Sequence, residues 1–167
     1  MSLTKLLGIY KEILMKIVLL AFVLVLSGCA ATSSDPTSQK VIVYSDTMEI
    51  IRDAADLAPQ GVTGEFVLEI KTTGNQGPYV YLNTELDYRD QRCVTVAIHP
   101  NILPEFIAKY GAAPQEYFAG KSIVVKGQAQ RARISFNSEG KPTGKYYYQT
   151  HIRVMDISQI EVVNGNT

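Results

Sequence analysis

The feature that most constrains the fold is a change in the spacing of apolar residues at Val62. Upstream of it, Ile50, Ala54 and Leu57 recur at helical spacing, and Pro59 would end that helix. Downstream, apolar and polar residues alternate one by one, which is the period of a strand with one buried face. The chain therefore predicts an N-terminal helix followed by a mainly β domain.

Strand-like segments then follow one another with a single interruption. Five or six of them are predicted, at residues 62–71, 79–83, 92–98, 121–136, 146–155 and 157–163. Turn-forming residues separate them at 74–78 and 137–144. Helical patterns at 103–110 and 115–118 lie between the third and fourth strands. A chain of 167 residues suits one domain of this kind.

Two short sequences in the second half carry a family resemblance. Residues 117–127 are YFAGKSIVVKG, and residues 156–162 are DISQIEV. Together with the YLN strand at 81–83 they resemble small OB-fold domains of the bacterial envelope, over roughly residues 61–163. The resemblance implies a five- to six-stranded OB-fold-like Greek-key barrel and little about function. A β-sandwich or another small barrel is the alternative.

The N-terminal part contains an unbroken apolar run of ten residues, Ile17–Leu26. Ten helical residues rise about 15 Å, which is half the ~30 Å hydrocarbon core of a bilayer, and a longer span would include Lys16. A short apolar run behind a basic start is typical of a secretory signal. Met1 and Met15 are alternative starts, since Met15 would open a compact signal of its own.

The apolar run ends in Leu26-Ser27-Gly28-Cys29, which resembles the lipobox of bacterial lipoproteins. The resemblance implies cleavage before Cys29, diacylglyceryl and N-acyl groups on that cysteine, and attachment to a membrane by lipid. It divides the chain into a signal peptide at 1–28, a flexible tether at 29–40 and an OB-fold-like domain at 41–163.

Two further residues bear on location and redox state. In Gram-negative lipoproteins an aspartate after the lipidated cysteine favours the inner membrane, so Ala30 favours the periplasmic face of the outer membrane. The expected location is in any case the cell envelope. With Cys29 used by the lipid, Cys93 has no intramolecular partner, and its strand-like neighbours predict a small buried side chain.

Catalytic or metal chemistry is not indicated by the sequence. His99 and His151 are far apart, and neither has a second ligand at metal spacing. Asp87 and Asp90 lie in a polar loop, where carboxylates cap the local backbone more often than they form an acid/base pair or a calcium site. The chain has no nucleophile elbow, phosphate loop or dinucleotide fingerprint. We therefore expect no enzyme activity, no metal and no cofactor.

Charge divides the folded part in two. Residues 41–116 carry 11 acidic and 5 basic side chains, a net charge of −6. Residues 117–163 carry 7 basic and 3 acidic side chains, a net charge of +4. An anionic polymer would therefore be attracted to one side of the molecule rather than to the whole.

Aromatic and basic side chains supply the candidate ligand contacts. OB-folds bind oligomers across strands two and three, where aromatic rings stack on bases or sugars. The candidates are Tyr79, Tyr81, Arg92, Arg131, Arg133, Tyr147 and Arg153. The alternative is that the tyrosines only shield a small barrel. A staphylococcal-type nuclease is a further alternative, suggested by Arg131, Arg133 and Arg153. No motif of that family matches residue by residue.

Three functions follow, in order of preference. The first is a non-enzymatic, lipid-anchored module that binds a ligand or another envelope protein through a sheet face or edge. The second is a module for oligonucleotides or oligosaccharides, with nucleic acid weakly supported. The third is an envelope nuclease or other hydrolase. The expected membrane contact is the lipid on Cys29.

Overall fold

A computed structural model describes Lys11 and residues 41–163. The predicted signal peptide, the lipobox ending at Cys29 and the tether at 29–40 lie outside the described residues. In the part that is described, no helix combines the length and the apolar character needed to cross a membrane.

The described domain is mainly β, as predicted. One helix precedes the long strands and two lie between the predicted third and fourth strands, also as predicted. The strands are β1 Val43–Tyr44, β2 Val62–Glu69, β3 Thr72–Gln76, β4 Tyr79–Asn83, β5 Val94–Ile98, β6 Ser122–Ser138, β7 Lys141–Val154 and β8 Ile160–Val162. The helices are α1 Thr47–Asp56, α2 Leu103–Tyr110 and α3 Pro114–Tyr117, with short 3-10 helices at Pro100–Ile102 and Ile157–Gln159.

The eight strands form one mixed sheet. They follow in the order β1-β2-β6-β7-β5-β4-β3, and β8 pairs with β6. The pairs β1–β2 and β5–β7 are parallel, and the others are antiparallel. The continuous segment 62–76 pairs with β6 through β2 and with β4 through β3. The segment 62–76 thus takes part at both ends of the strand order. The sheet is not the closed barrel that was predicted, because no ladder joins β3 to β1 or β2 among the described strands.

The prediction of five to six strands is wrong, because the sheet has eight. The turn predicted at 74–78 is only Gly77-Pro78, and the residues before it form β3 along β4. The turn predicted at 137–144 is only Glu139-Gly140, whose φ angles of 52° and 75° suit a type I′ hairpin. As a result β6 and β7 form a long hairpin. The strand β1 has two residues and is too short to show alternation.

The core lies between the sheet and the helices. Phe66 on β2 is fully buried, and so are Phe106 on α2 and Phe118 directly after α3. The Phe106 and Phe118 ring centres are 5.6 Å apart in an edge-to-face arrangement. Cys93 is 1% exposed, which confirms the prediction of a small buried side chain.

The N-terminal helix α1 covers another part of the core. Asp46 caps it by accepting a hydrogen bond from the Met48 backbone N–H at 2.9 Å. Ile50 and Ala54 are fully buried, as their spacing predicts. Leu57 was expected on the same buried face but is 56% exposed, because the helix ends one residue before it.

Gln159 joins β6 and the end of β7 to the turn before β8. Its Oε1 accepts hydrogen bonds from the backbone N–H groups of Met155 at 2.7 Å and Asp156 at 3.0 Å. Its Nε2 donates to the carbonyls of Lys126 at 2.9 Å and Arg153 at 3.3 Å. One half-buried amide thus satisfies four backbone groups, which explains the glutamine of the QIEV sequence.

Replacing Gln159 with leucine should lower the free energy of unfolding by about 2–3 kcal/mol, because four backbone groups lose their partner. Ser158→Ala is a neighbouring control that removes only the exposed 2.7 Å hydrogen bond from Ser158 Oγ to Asp156. It should cost less than about 0.5 kcal/mol. Urea denaturation followed by circular dichroism measures both variants. Equal stabilities for the two would contradict this role of Gln159.

Candidate ligand-binding groove

A groove of about 700 Å³ lies on the sheet face that points away from the core. Its floor consists of side chains from β4, β5 and β7, namely Tyr81, Asn83, Thr95, Gln149 and His151. The register places Asn83 opposite Thr95 and Thr95 opposite His151, so these three residues lie in one row across the sheet. Their strand neighbours Leu82 and Val96 point into the core, as the two-residue period requires.

Two hairpins form the sides of the groove. The β3–β4 hairpin contributes residues 74–76, and the β6–β7 hairpin contributes residues 134–137 with Tyr147. The Phe136 and Tyr147 ring centres are 5.3 Å apart. The loop between β4 and β5 adds Tyr88 and Arg89. The volume falls within the range of about 300–1,000 Å³ that is usual for small-ligand sites.

A chain of hydrogen bonds holds this loop over the floor. Gln149 Nε2 donates to the Tyr88 carbonyl, and Gln149 Oε1 lies 2.9 Å from His151 Nε2. Because an amide oxygen only accepts, the His151 ring donates from Nε2, and its Nδ1 carries no proton when the ring is neutral. Thr95 Oγ1 donates to Asn83 Oδ1 at 2.9 Å in the same row. The polar floor is therefore internally bonded before any ligand enters.

The ionisable side chains of the floor are uncharged near neutral pH. Burial, aided by the positive charge of Arg153, lowers the pKa of His151 to about 4. Burial raises the pKa of Tyr81 and, on the hairpin side, the pKa of Tyr147. The histidine is thus a neutral imidazole, and both tyrosines keep their hydroxyl protons.

Two aspartates stabilise the β4–β5 loop through its backbone. Asp87 Oδ1 accepts from the Arg89 N–H and Asp90 Oδ1 from the Arg92 N–H, both at 2.9 Å. Side-chain hydrogen bonds from the same arginines lower the pKa of Asp87 and lower that of Asp90 to about 2. This geometry matches the preferred interpretation of the loop as locally capped, and neither carboxylate has the raised pKa of a general acid.

Of the seven predicted contacts, the groove lining includes Tyr81 and Tyr147. Tyr79 lies beside the groove, with its ring centre 6.3 Å from that of Tyr81. Arg92 turns towards Asp90, and their charged atoms are 2.7 Å apart. Arg92 is therefore engaged in the loop rather than directed at the groove.

The remaining three predicted contacts do not meet on one surface. Arg131 and Arg133 lie on the reverse face of the β6–β7 hairpin, over the rings of Tyr148 and Tyr146 at 3.7 and 4.1 Å. Arg153 shares the sheet face of the groove but lies outside its lining. The arginine cluster of a staphylococcal-type nuclease is not assembled from them. The described residues also contain no group of three or more metal-ligating side chains.

Sequence reasoning missed most of the polar floor. Gln149 is only 8% exposed and His151 is half-buried. The β4–β5 loop lies over this sheet face and is bonded to Gln149 through the Tyr88 carbonyl. The signal that could have found the floor is the polar residue inside an apolar strand, as at Thr95 between Val94 and Val96.

Comparison with known proteins yields structural matches alone. No protein-family profile and no curated protein matches the chain. One matching structure is described as an aspartyl-tRNA synthetase from Leishmania major Friedlin, with 11% identity, a TM-score of 0.40, and coverage of 81% of this chain and 23% of that chain. Another is a mitochondrial single-stranded DNA binding protein from S. cerevisiae, with 13% identity, a TM-score of 0.33, and coverage of 62% and 95%. This chain thus spans about a quarter of the synthetase. Since both TM-scores are below 0.5, the function proposed below rests on topology and the groove.

Proposed function

We propose that residues 41–163 form an OB-fold-like module that binds an elongated ligand in the groove. The strand order supports this. When 62–76 is counted as one bent first strand, β4, β5, β6 and β7 become the second to fifth strands. The first strand then pairs with the second and the fourth, the third runs parallel to the fifth, and the helices lie between the third and fourth. This is the Greek-key order of an OB-fold, with α1, β1 and β8 as additions.

The position of the groove is the observation that carries the proposal. OB-folds bind oligomers across their second and third strands, between the loop joining strands one and two and the loop joining strands four and five. In the counting above these strands are β4 and β5, and these loops are the tips of the β3–β4 and β6–β7 hairpins. The groove described here lies across the same strands and between the same hairpins.

We propose that the module is not an enzyme. A general acid or base works best with a pKa near the working pH, and the pKa of His151 lies at about 4. The lining contains one charged side chain, Arg89, and that guanidinium is bonded to Asp87. None of the described lining residues is a carboxylate or a thiol. This lining suits binding better than acid/base or nucleophilic chemistry.

Replacing Tyr147 with serine should weaken ligand binding about tenfold or more, because a stacking ring is removed from the groove. Tyr146→Ser is the matched control, since the adjacent tyrosine lies on the reverse face of the hairpin. Calorimetric titrations with a twelve-residue oligothymidylate and with neutral tetrasaccharides provide the measurement, and circular dichroism checks the fold. Binding of neither class, or equal losses in the two variants, would overturn the proposal of a groove-binding module.

We further propose that the module is held in the cell envelope by lipid on Cys29, facing the periplasm from the outer membrane in a Gram-negative cell. The support is the sequence from Leu26 to Ala30 together with the polar segment 29–40.

Replacing Cys29 with alanine should abolish acylation and leave an uncleaved or mis-sorted precursor, because the sulfur is the atom that accepts the diacylglyceryl group. Metabolic labelling with a fatty acid and intact-mass spectrometry measure both effects. Cys93→Ala is the matched control and should label normally, since that thiol is buried in the folded domain. Normal processing of the Cys29 variant would refute the lipid anchor.

A further inference from the structure

The polar part of the groove is made largely of amide side chains. They come from β3, β4, the β6–β7 hairpin and β7, and are Asn75, Gln76, Asn83, Asn137 and Gln149. An amide both donates and accepts hydrogen bonds, as a sugar hydroxyl does. Phosphate oxygens only accept and are best matched by cationic donors. The hydrogen-bonding groups therefore suit a polyhydroxylated ligand.

Aromatic rings line the same groove. Tyr81 stands on the floor, Phe136 and Tyr147 form one side, and Tyr88 belongs to the covering loop. Phe136 is 46% exposed although it is strongly apolar. Such rings stack on the C–H faces of pyranose sugars as well as on bases, so they indicate a ligand with flat apolar faces without separating the two classes.

The charge of the lining distinguishes between an oligosaccharide and a nucleic acid as the ligand. Of the described lining residues only Arg89 is charged, and its guanidinium lies 3.1 and 3.3 Å from the Asp87 carboxylate oxygens. The imidazole of His151, which also lines the groove, is neutral near pH 7. Of the cations in the basic half, Arg131 and Arg133 stack on tyrosines of the opposite hairpin face, and Arg153 shares the sheet face of the groove but lies outside its lining. The backbone of a nucleic acid bound in the groove would therefore meet no unpaired cation among the described lining residues.

We infer that the ligand of the groove is an uncharged oligosaccharide rather than a nucleic acid. The inference rests on the proposed function and names the chemical class of its ligand. The hairpin amides of Asn75, Gln76 and Asn137 would bond the hydroxyl groups. Tyr147 and Phe136 would cover a sugar face. Because no ion pairs form, affinity would depend little on salt.

The test uses the mature chain in zwitterionic micelles, since a detergent with a sugar headgroup would compete. Maltotetraose, cellotetraose and the β-1,4 tetramer of N-acetylglucosamine are titrated calorimetrically beside a twelve-residue oligothymidylate. We expect at least one tetrasaccharide to bind, with less than about a twofold change in Kd between 50 and 500 mM NaCl. An oligonucleotide making three phosphate contacts would weaken about 100-fold over that range. Tyr147→Ser should weaken the sugar at least tenfold and Tyr146→Ser should not.

Three other outcomes would overturn the inference, and they differ in what they imply for the proposed function. Binding of oligothymidylate that depends on Tyr147, with none of the sugars bound, would overturn the ligand class and leave the groove-binding module intact. Sugar binding that is unaffected by Tyr147→Ser would place the sugar outside the groove and overturn the inference. Failure of both classes to bind would overturn the inference together with the proposed function.

Discussion

Replacing Gly61 with alanine should lower the free energy of unfolding by about 3 kcal/mol or more. Gly61 has a φ of 72°, a left-handed conformation that costs an L-residue about 1 kcal/mol. An alanine Cβ would also lie 2.1 Å from the carbonyl oxygen of Ala129. That oxygen is backbone of β6 beside a fully buried side chain, so relieving the overlap requires movement of a central strand.

Gly111→Ala is the matched control for this substitution. Gly111 has a φ of 73°, but an added Cβ would meet nothing within 4 Å. The free energy of unfolding of this variant should therefore fall only by the cost of the left-handed conformation, about 1 kcal/mol. Urea denaturation of the two variants beside the parent chain measures the difference. If both lose the same stability, the close approach of Gly61 to β6 has no energetic consequence and this explanation is wrong.

Acidification from pH 6.5 to pH 4 should destabilise the protein by about 3 kcal/mol through His151 alone. Its pKa falls from 6.5 when free to about 4 in the fold, because it is buried beside the positive charge of Arg153. Between these values the unfolded chain binds a proton that the folded chain does not, so the free energy of unfolding rises with pH. The contribution is complete above pH 6.5 and lost at pH 4, at about 1.4 kcal/mol per pKa unit.

His151→Gln isolates this effect, because glutamine keeps an N–H near Gln149 and does not titrate. Between pH 6.5 and 4 its unfolding free energy should fall less than that of the parent chain by up to about 3 kcal/mol. The carboxylates contribute to the pH dependence of both proteins and cancel in the comparison. NMR titration of the imidazole ring gives the pKa directly. A midpoint near 6.5, or parallel stability curves for the two proteins, would refute the burial of a neutral histidine.

Alternation along the chain is enough to predict the strand around Phe66, because its buried side chains lie mainly on one face. The strand around Val96 is predicted from its β-branched and apolar residues instead, since all five of its residues are buried. It cannot predict Thr72–Gln76 as a strand. The residues of that segment are polar or glycine on both faces, and their pairing is decided by the neighbouring β4 rather than by burial. The β6–β7 hairpin is longer than predicted for a similar reason. Its backbone pairing continues beyond the core until Glu139-Gly140 allows the turn.

The candidate site is predictable to a similar degree. Tyr81 and Tyr147 could be identified because aromatic residues on strands of this order suggest a ligand face. The burial of Gln149 could not, since it depends on Tyr88, which is 61 positions away in the chain. Net charge was also a poor guide, because the excess of cations in 117–163 does not tell which hairpin face carries them. Alternation alone left Arg131 and Arg133 as candidates, and only the folded hairpin shows that they stack on its reverse face.

Occupancy of the groove is tested most directly by an NMR titration of the isotope-labelled chain with the tetrasaccharide that binds. Amide shift changes should concentrate at Thr95, Tyr147 and Gln149 and be small at Arg131 and Arg133. Shift changes confined to the reverse face of the β6–β7 hairpin, or groove amides that do not move at saturation, would contradict a ligand site between the two hairpins.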